Sequence, residues 1–465
     1  MLDLPLLSAT RKGLLLFLFL VLPGAALAQS PGPVIPQETR DAAQRLMEAA
    51  LNSPTSWNRL AEVVDRFGPR LAGSEALEAA LDWILAGMED DGLENVRAEP
   101  VMVPRWVRGQ ESLFLLSPWP KEMAVLGLGT SVATPPEGIR AEVLVVDSFQ
   151  DLEAHAQEAR GKIVLFDVPF TTYGETVRYR TEGAVAAAKV GAVASLIRSV
   201  TPFSMNTPHT GVMSYEDGVP RIPHAAITVE DAAMLHRMSE RGQTIEVRLT
   251  MEAEDQGMAS SRNVMGEIVG REFPDEVIVL GGHTDSWDVG QGAMDDAGGV
   301  VAAWEAVRLM KELGLRPRRT VRVVGWTAEE FGIYGGDAYA EAPGRNREEH
   351  VLGIESDAGV FSPLGFGFTG SDEAFSIVQE IGAILTPIGA GTITRGGGGA
   401  DIGAMMRNRG MPGMGLNVEP ERYFWYHHSS ADTLDKLDPE EMARCVAAMA
   451  VMAYVVADLP ESLPR

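Results

Sequence analysis

A single cysteine, Cys445, stands in 465 residues. An internal disulfide is therefore excluded, and so is any metal centre built on several thiolates. Positive charge is also scarce: 39 Lys and Arg against 65 Asp and Glu give a formal net charge of −26. Such a surface repels nucleic acid and anionic lipid, so neither is expected as a partner. Long apolar runs are missing beyond the N-terminus, and the run there, residues 13–22, is about half of the ~20 residues needed to span a bilayer. Arg11-Lys12 precede it, and Pro23-Gly24 and Ala26-Leu27-Ala28 follow it. This is the layout of a secretory signal peptide, with cleavage after Ala28 and a secreted or periplasmic destination. A glycine tract, residues 396–399, has no Lys-Ser/Thr after it, which removes the phosphate-cradling loop from consideration.

What is present concentrates in four places. Glu276-Val-Ile-Val-Leu280 reads as a buried strand and runs into Gly-Gly-His283-Thr-Asp285, with the pair Asp295-Asp296 shortly after. Val321-Arg-Val-Val-Gly-Trp326 reads as a second strand and runs into Glu329-Glu330. Val351-Leu-Gly-Ile354 reads as a third, leading to Glu355-Ser-Asp357. The fourth segment, Tyr426-His427-His428-Ser-Ser-Ala-Asp432-Thr433, follows the short apolar stretch Met414-Gly-Leu-Asn-Val418. In an open α/β sheet ligands bind where strands end, and all four ends carry carboxylate or imidazole. Alone, an HxD or a Glu pair is usually solvated charge. Four agreeing strand ends point to a metal site.

Imidazole and carboxylate are the donors that suit zinc where thiolate is absent. With Asp295 bridging two ions, His283 and Asp357 complete one, and Glu330 with a histidine of the His427-His428 pair completes the other. Glu329 is free to move protons. Asp285, two residues after His283, is placed to hold the far N–H of that imidazole. Adjacent residues of an extended segment face opposite ways, so only one of His427 and His428 is expected to face the metals. Asp288, Asp296, Glu355 and Asp432 are read as hydrogen-bonded loop groups.

The motifs HTDSWDVGQGAMDD, WTAEEFG, ESDAG and HHSSADT closely resemble those of the di-zinc exopeptidases that include aminopeptidases and glutamate carboxypeptidases. The resemblance covers most of the chain and is strongest from about Asn263 onward. It implies a zinc-exopeptidase fold, two Zn²⁺ ions on His283, Asp295, Glu330, Asp357 and His427, and Glu329 as general base. The family's spacing selects His427 over His428, and the resemblance implies a cis peptide between Asp295 and Asp296.

The organisation expected is an α/β chain with a mostly parallel central sheet flanked by helices. After the signal peptide (1–28), residues 29–116 open the catalytic domain. Residues 117–251 form a β-rich insert, which resembles the protease-associated domain of the same family, and residues 252–465 carry the metal site. The insert holds no metal-ligand constellation. Asp438-Pro439-Glu440-Glu441 supplies a cap, a proline at the first helical position and a carboxylate for a long apolar C-terminal helix. The function expected is an exported exopeptidase acting on short peptides. A single-zinc glutaminyl cyclase and a catalytically dead receptor or scaffold on the same fold are the alternatives. Association with a second copy as a homodimer is left open.

Overall fold

The computed structural model describes residues 35–465, so the signal-peptide segment lies outside the described residues. Two eight-stranded sheets organise the chain. In the first, Phe273–His283, Arg319–Trp326, Glu349–Glu355 and Gly413–Val418 run parallel as the central strands. All eight residues of Arg319–Trp326 are buried, as a strand covered on both faces by helices must be. Antiparallel strands flank this centre: Glu94–Val107 and Glu254–Ile268 on one side, Pro363–Thr369 on the other. The parallel centre turns the C-terminal ends of four strands toward one edge, where the site residues sit.

One face of this sheet is covered by the helices Gln37–Asn52, Thr55–Phe67, Gly298–Glu312 and Pro439–Asp458. The last begins as its sequence prescribes. The Asp438 carboxylate accepts the N–H groups of Glu440 and Glu441 at 2.8 and 3.1 Å, and Pro439 occupies the first turn, where its missing N–H costs nothing. From Cys445 to Asp458 every residue is buried, so this helix is a central core element. Full burial of each Leu, Val or Met side chain contributes roughly 1.5–3 kcal/mol. The opposite face is closed by Trp326, Tyr339, Ile402 and Met405.

The second sheet is interposed in the chain between the strands Glu94–Val107 and Glu254–Ile268 of the first. It has its own apolar cores, one around Leu113, Leu165 and Leu249 and one around Phe166, Ala184 and Ile197. It starts earlier than residue 117, because Glu111–Ser117 pairs antiparallel with Glu246–Met251. It is also less purely β than its short strand runs suggest, carrying the helices Tyr173–Lys189 and Val229–Glu240.

Candidate metal centre

His283 is the last residue of its strand, Glu329 and Glu330 follow Trp326, and Asp357 follows Glu355, so the sheet edge itself brings these groups together. A cis peptide joins Asp295 to Asp296. Ligand atoms of His283, Asp295 and Glu330 lie within 4.8 Å of one another, and so do those of His283, Asp296 and Asp357, and of Asp295, His427 and His428. Asp295 and His283 each belong to two of these groups. His283 Nε2 stands 3.1 Å from Asp295 Oδ1 and 3.4 Å from Asp357 Oδ1. On the other side of Asp295, His428 Nε2 stands 2.9 Å from Glu330 Oε2 and 3.3 Å from Asp295 Oδ2.

Of the two histidines, His428 stands nearer the carboxylates than His427, the one expected to face them. His427 Nε2 is 3.8 Å from Asp295 and has no close carboxylate besides, whereas its ring stacks on that of His428 with centroids 3.5 Å apart. The segment is not extended, so its side chains do not alternate between two faces. It leaves a helical turn, Tyr423–Tyr426, and His428 has a left-handed φ of 58°, which turns its side chain inward.

A surrounding layer of hydrogen bonds fixes these groups. His283 Nδ1 faces the backbone carbonyl of Asp285 at 3.0 Å, while the Asp285 carboxylate stands 3.6 Å from that nitrogen. The carboxylate instead accepts the N–H groups of Glu329 at 3.1 Å and Glu330 at 3.3 Å. Asp432 accepts those of Met294 and Asp295 at 2.7 and 3.2 Å, and Asp296 accepts that of His283 at 3.0 Å. Gly282 is required here, since a Cβ would fall 2.0 Å from Asp296 Oδ2. Two residues had no signal in the sequence. Arg70, buried, donates to the carbonyls of Thr284, Gln291 and Gly292 and ties the loop between His283 and Asp295 to the N-terminal helices. Trp287 donates its indole N–H to Glu330 Oε2 at 2.6 Å.

The electrostatics are those of a buried anionic site. Burial, with Asp357 and Glu330 close by, pushes the Glu329 carboxyl well above the usual carboxylate range. Burial also raises Glu355 to about 7, with Asp357 adding to it, and Asp432 to about 7, with Asp295 adding to it. Burial opposes charge on His283, yet Asp285, Asp295 and Asp357 outweigh it and hold that imidazole well above its ordinary value. Glu330 Oε1 and Asp295 Oδ2 have no hydrogen-bond partner. Uncompensated carboxylates in a buried site call for cations. Oxygen and imidazole donors without thiolate fit zinc.

The family of the chain follows from comparison with known proteins. Residues 263–453, the part that carries every group above except Arg70, match the model of peptidase family M28. Bovine Carboxypeptidase Q is 51% identical over 410 residues, covering 88% of this chain and 87% of the relative. The solved structure of a peptidase M28 precursor from Shewanella amazonensis superposes with a TM-score of 0.88 at 36% identity, covering 92% of this chain and 98% of that one. An aminopeptidase from an Aneurinibacillus strain, 21% identical over 90% of this chain and 97% of its own, shares the fold with a TM-score of 0.64. At the identity and coverage of the Carboxypeptidase Q match, the chain is a metallopeptidase of the exopeptidase class. The chain belongs to peptidase family M28.

Proposed function

We propose that the chain is an exported two-zinc exopeptidase that hydrolyses short peptides. The observation that carries this reading is the position of Asp295 between two sets of donors, His283 with Asp357 on one side and Glu330 with His428 on the other. A shared carboxylate between two such sets suits a pair of ions about 3.5–4 Å apart rather than one. His428 takes the ligand role assigned to His427 from the sequence, and His427 packs behind it.

Bound zinc supplies Lewis acidity to the scissile carbonyl and makes water nucleophilic near neutral pH. Glu329 takes the proton of that water as its oxygen bonds to the carbonyl carbon. It delivers the proton to the amine as the C–N bond breaks, so that one water is consumed and one acid and one amine leave. Asp285 fixes the backbone of Glu329 and Glu330 through its carboxylate and orients His283 through its carbonyl.

Next to Asp357 opens a cavity of about 520 Å³ walled by Ala358, Leu364, Val418, Tyr423 and Phe424, with Thr392, Thr394 and Asn417 as its polar groups. No Lys or Arg lines it. We assign it to an uncharged substrate side chain. The relatives include a carboxypeptidase and an aminopeptidase by name, and the experiment that separates the two for this chain is digestion of a peptide library with each terminus blocked in turn. Cleavage of free-ended dipeptides with neutral side chains supports the assignment, and preferential cleavage beside acidic side chains contradicts it.

A further inference from the structure

Resting on the two-ion reading above, we propose that His209, in the inserted unit, is a positioning residue for the pocket formed by Asp295, Glu330 and His428. The segment His427–Ser429 is held in place from outside the catalytic sheet. His428 is left-handed at φ 58°, a conformation that strains a non-glycine residue and persists only where the surroundings enforce it.

The surroundings that do so belong to residues 199–210. His209 Nδ1 stands 2.6 Å from the carbonyl of His427, and a ring nitrogen facing a carbonyl must carry the hydrogen and donate. The neighbouring Thr210 N–H donates to the carbonyl of His428 at 2.9 Å, and His209 and Ser429 form an isolated antiparallel bridge. The Thr210 carbonyl lies 3.4 Å from His428 Nδ1, on the side of the imidazole away from Glu330. Behind His209 the chain of contacts leads into the inserted sheet. The His209 N–H donates to Ser199 Oγ at 2.9 Å, and that hydroxyl donates to the carbonyl of Ile227, the last residue of the strand His224–Ile227, at 2.7 Å. His209 itself is buried.

The two halves of the site therefore depend on different parts of the fold. His283 and Asp357 stand at strand ends of the catalytic sheet. His428 is aimed by hydrogen bonds that come from the inserted unit, from the His209 ring to the His427 carbonyl and from the Thr210 N–H to its own carbonyl, with the Arg180 guanidinium 3.4 Å from its Nδ1. Weakening His209 should loosen one metal pocket and spare the other, which an effect on general stability would not do.

The test compares the zinc-loaded protein with His209→Ala and His209→Asn, whose amide N–H occupies nearly the place of Nδ1. Zinc per chain and zinc release to a graded chelator are measured alongside thermal unfolding. Removal of a group that orients a ligand typically weakens metal binding 10–100-fold. The expected result is one zinc released 10–100-fold more readily in His209→Ala, the other held as in the wild type, and restoration in His209→Asn. Two zincs held as tightly in His209→Ala as in the wild type would overturn the proposal. So would equal loosening of both, with a fall in unfolding temperature, in both variants, because His209 would then support the fold as a whole. A wild-type protein that binds a single zinc would instead refute the two-ion reading, whatever the variants do.

Discussion

The carboxylate of Asp285 accepts the backbone N–H of Glu329 at 3.1 Å and, through its second oxygen, that of Glu330 at 3.3 Å. One side chain from the loop after the first central strand thus sets the turn after the second. It fixes two adjacent glutamates so that they differ in surroundings. Glu330 is held by Trp287 Nε1 at 2.6 Å and faces His428, while Glu329 is left with other carboxylates around it and a carboxyl pushed well above its usual range.

Substituting the pair should separate their roles. Glu329→Gln keeps size but cannot accept a proton, so kcat should fall by about 10²–10⁴-fold with zinc content unchanged. Glu330→Gln replaces a ligand with a poorer one and should lose one zinc per chain. Paired kcat and metal content for both variants check this. Loss of zinc in Glu329→Gln would contradict the assignment.

The histidine pair makes a second comparison. His428→Ala should remove one zinc and most activity. His427→Ala should retain both ions and lose activity less, through the packing against His428 and Tyr173 that it gives up. Metal content by mass spectrometry of the native protein distinguishes them, and the opposite order would restore His427 as the ligand.

These residues also mark how much could be read from the sequence. Three of the four central strands were legible from short apolar, β-branched runs, because a strand covered on both faces is nearly all apolar, and the fourth, Gly413–Val418, showed only as a short apolar stretch with Asn417 exposed. His283, Glu329, Glu330 and Asp357 were legible because they follow closely on an apolar run, whereas His427 and His428 lie well beyond Val418, with the turn Tyr423–Tyr426 between. The placement of His427 and His428 was not. Alternation applies to extended chain, and a left-handed residue after a helical turn follows no such rule. Arg70 and His209 were invisible because their partners are backbone carbonyls 214–222 and 218 residues away, and a carbonyl has no letter in a sequence.

Away from the metals, His224 predicts a pH dependence of stability. It is fully buried beside Ser195, and burial lowers its imidazole to about 4 from an ordinary 6.5. Between those values the unfolded chain binds a proton that the folded chain refuses, so stability is intact above pH 6.5 and is lost as pH falls toward 4. The contribution is at most about 3 kcal/mol. Denaturant unfolding of the wild type and of His224→Gln across pH 4.5–7 should show a shallower acid loss in the variant. Identical slopes would show that His224 is not kept neutral by the fold.

The most direct measurement of the central claim is the return of peptidase activity when zinc is added stepwise to the chelated protein. A two-zinc enzyme should show no turnover without metal and a plateau reached at two zinc per chain. A plateau at one zinc, or full activity in the metal-free protein, would contradict it.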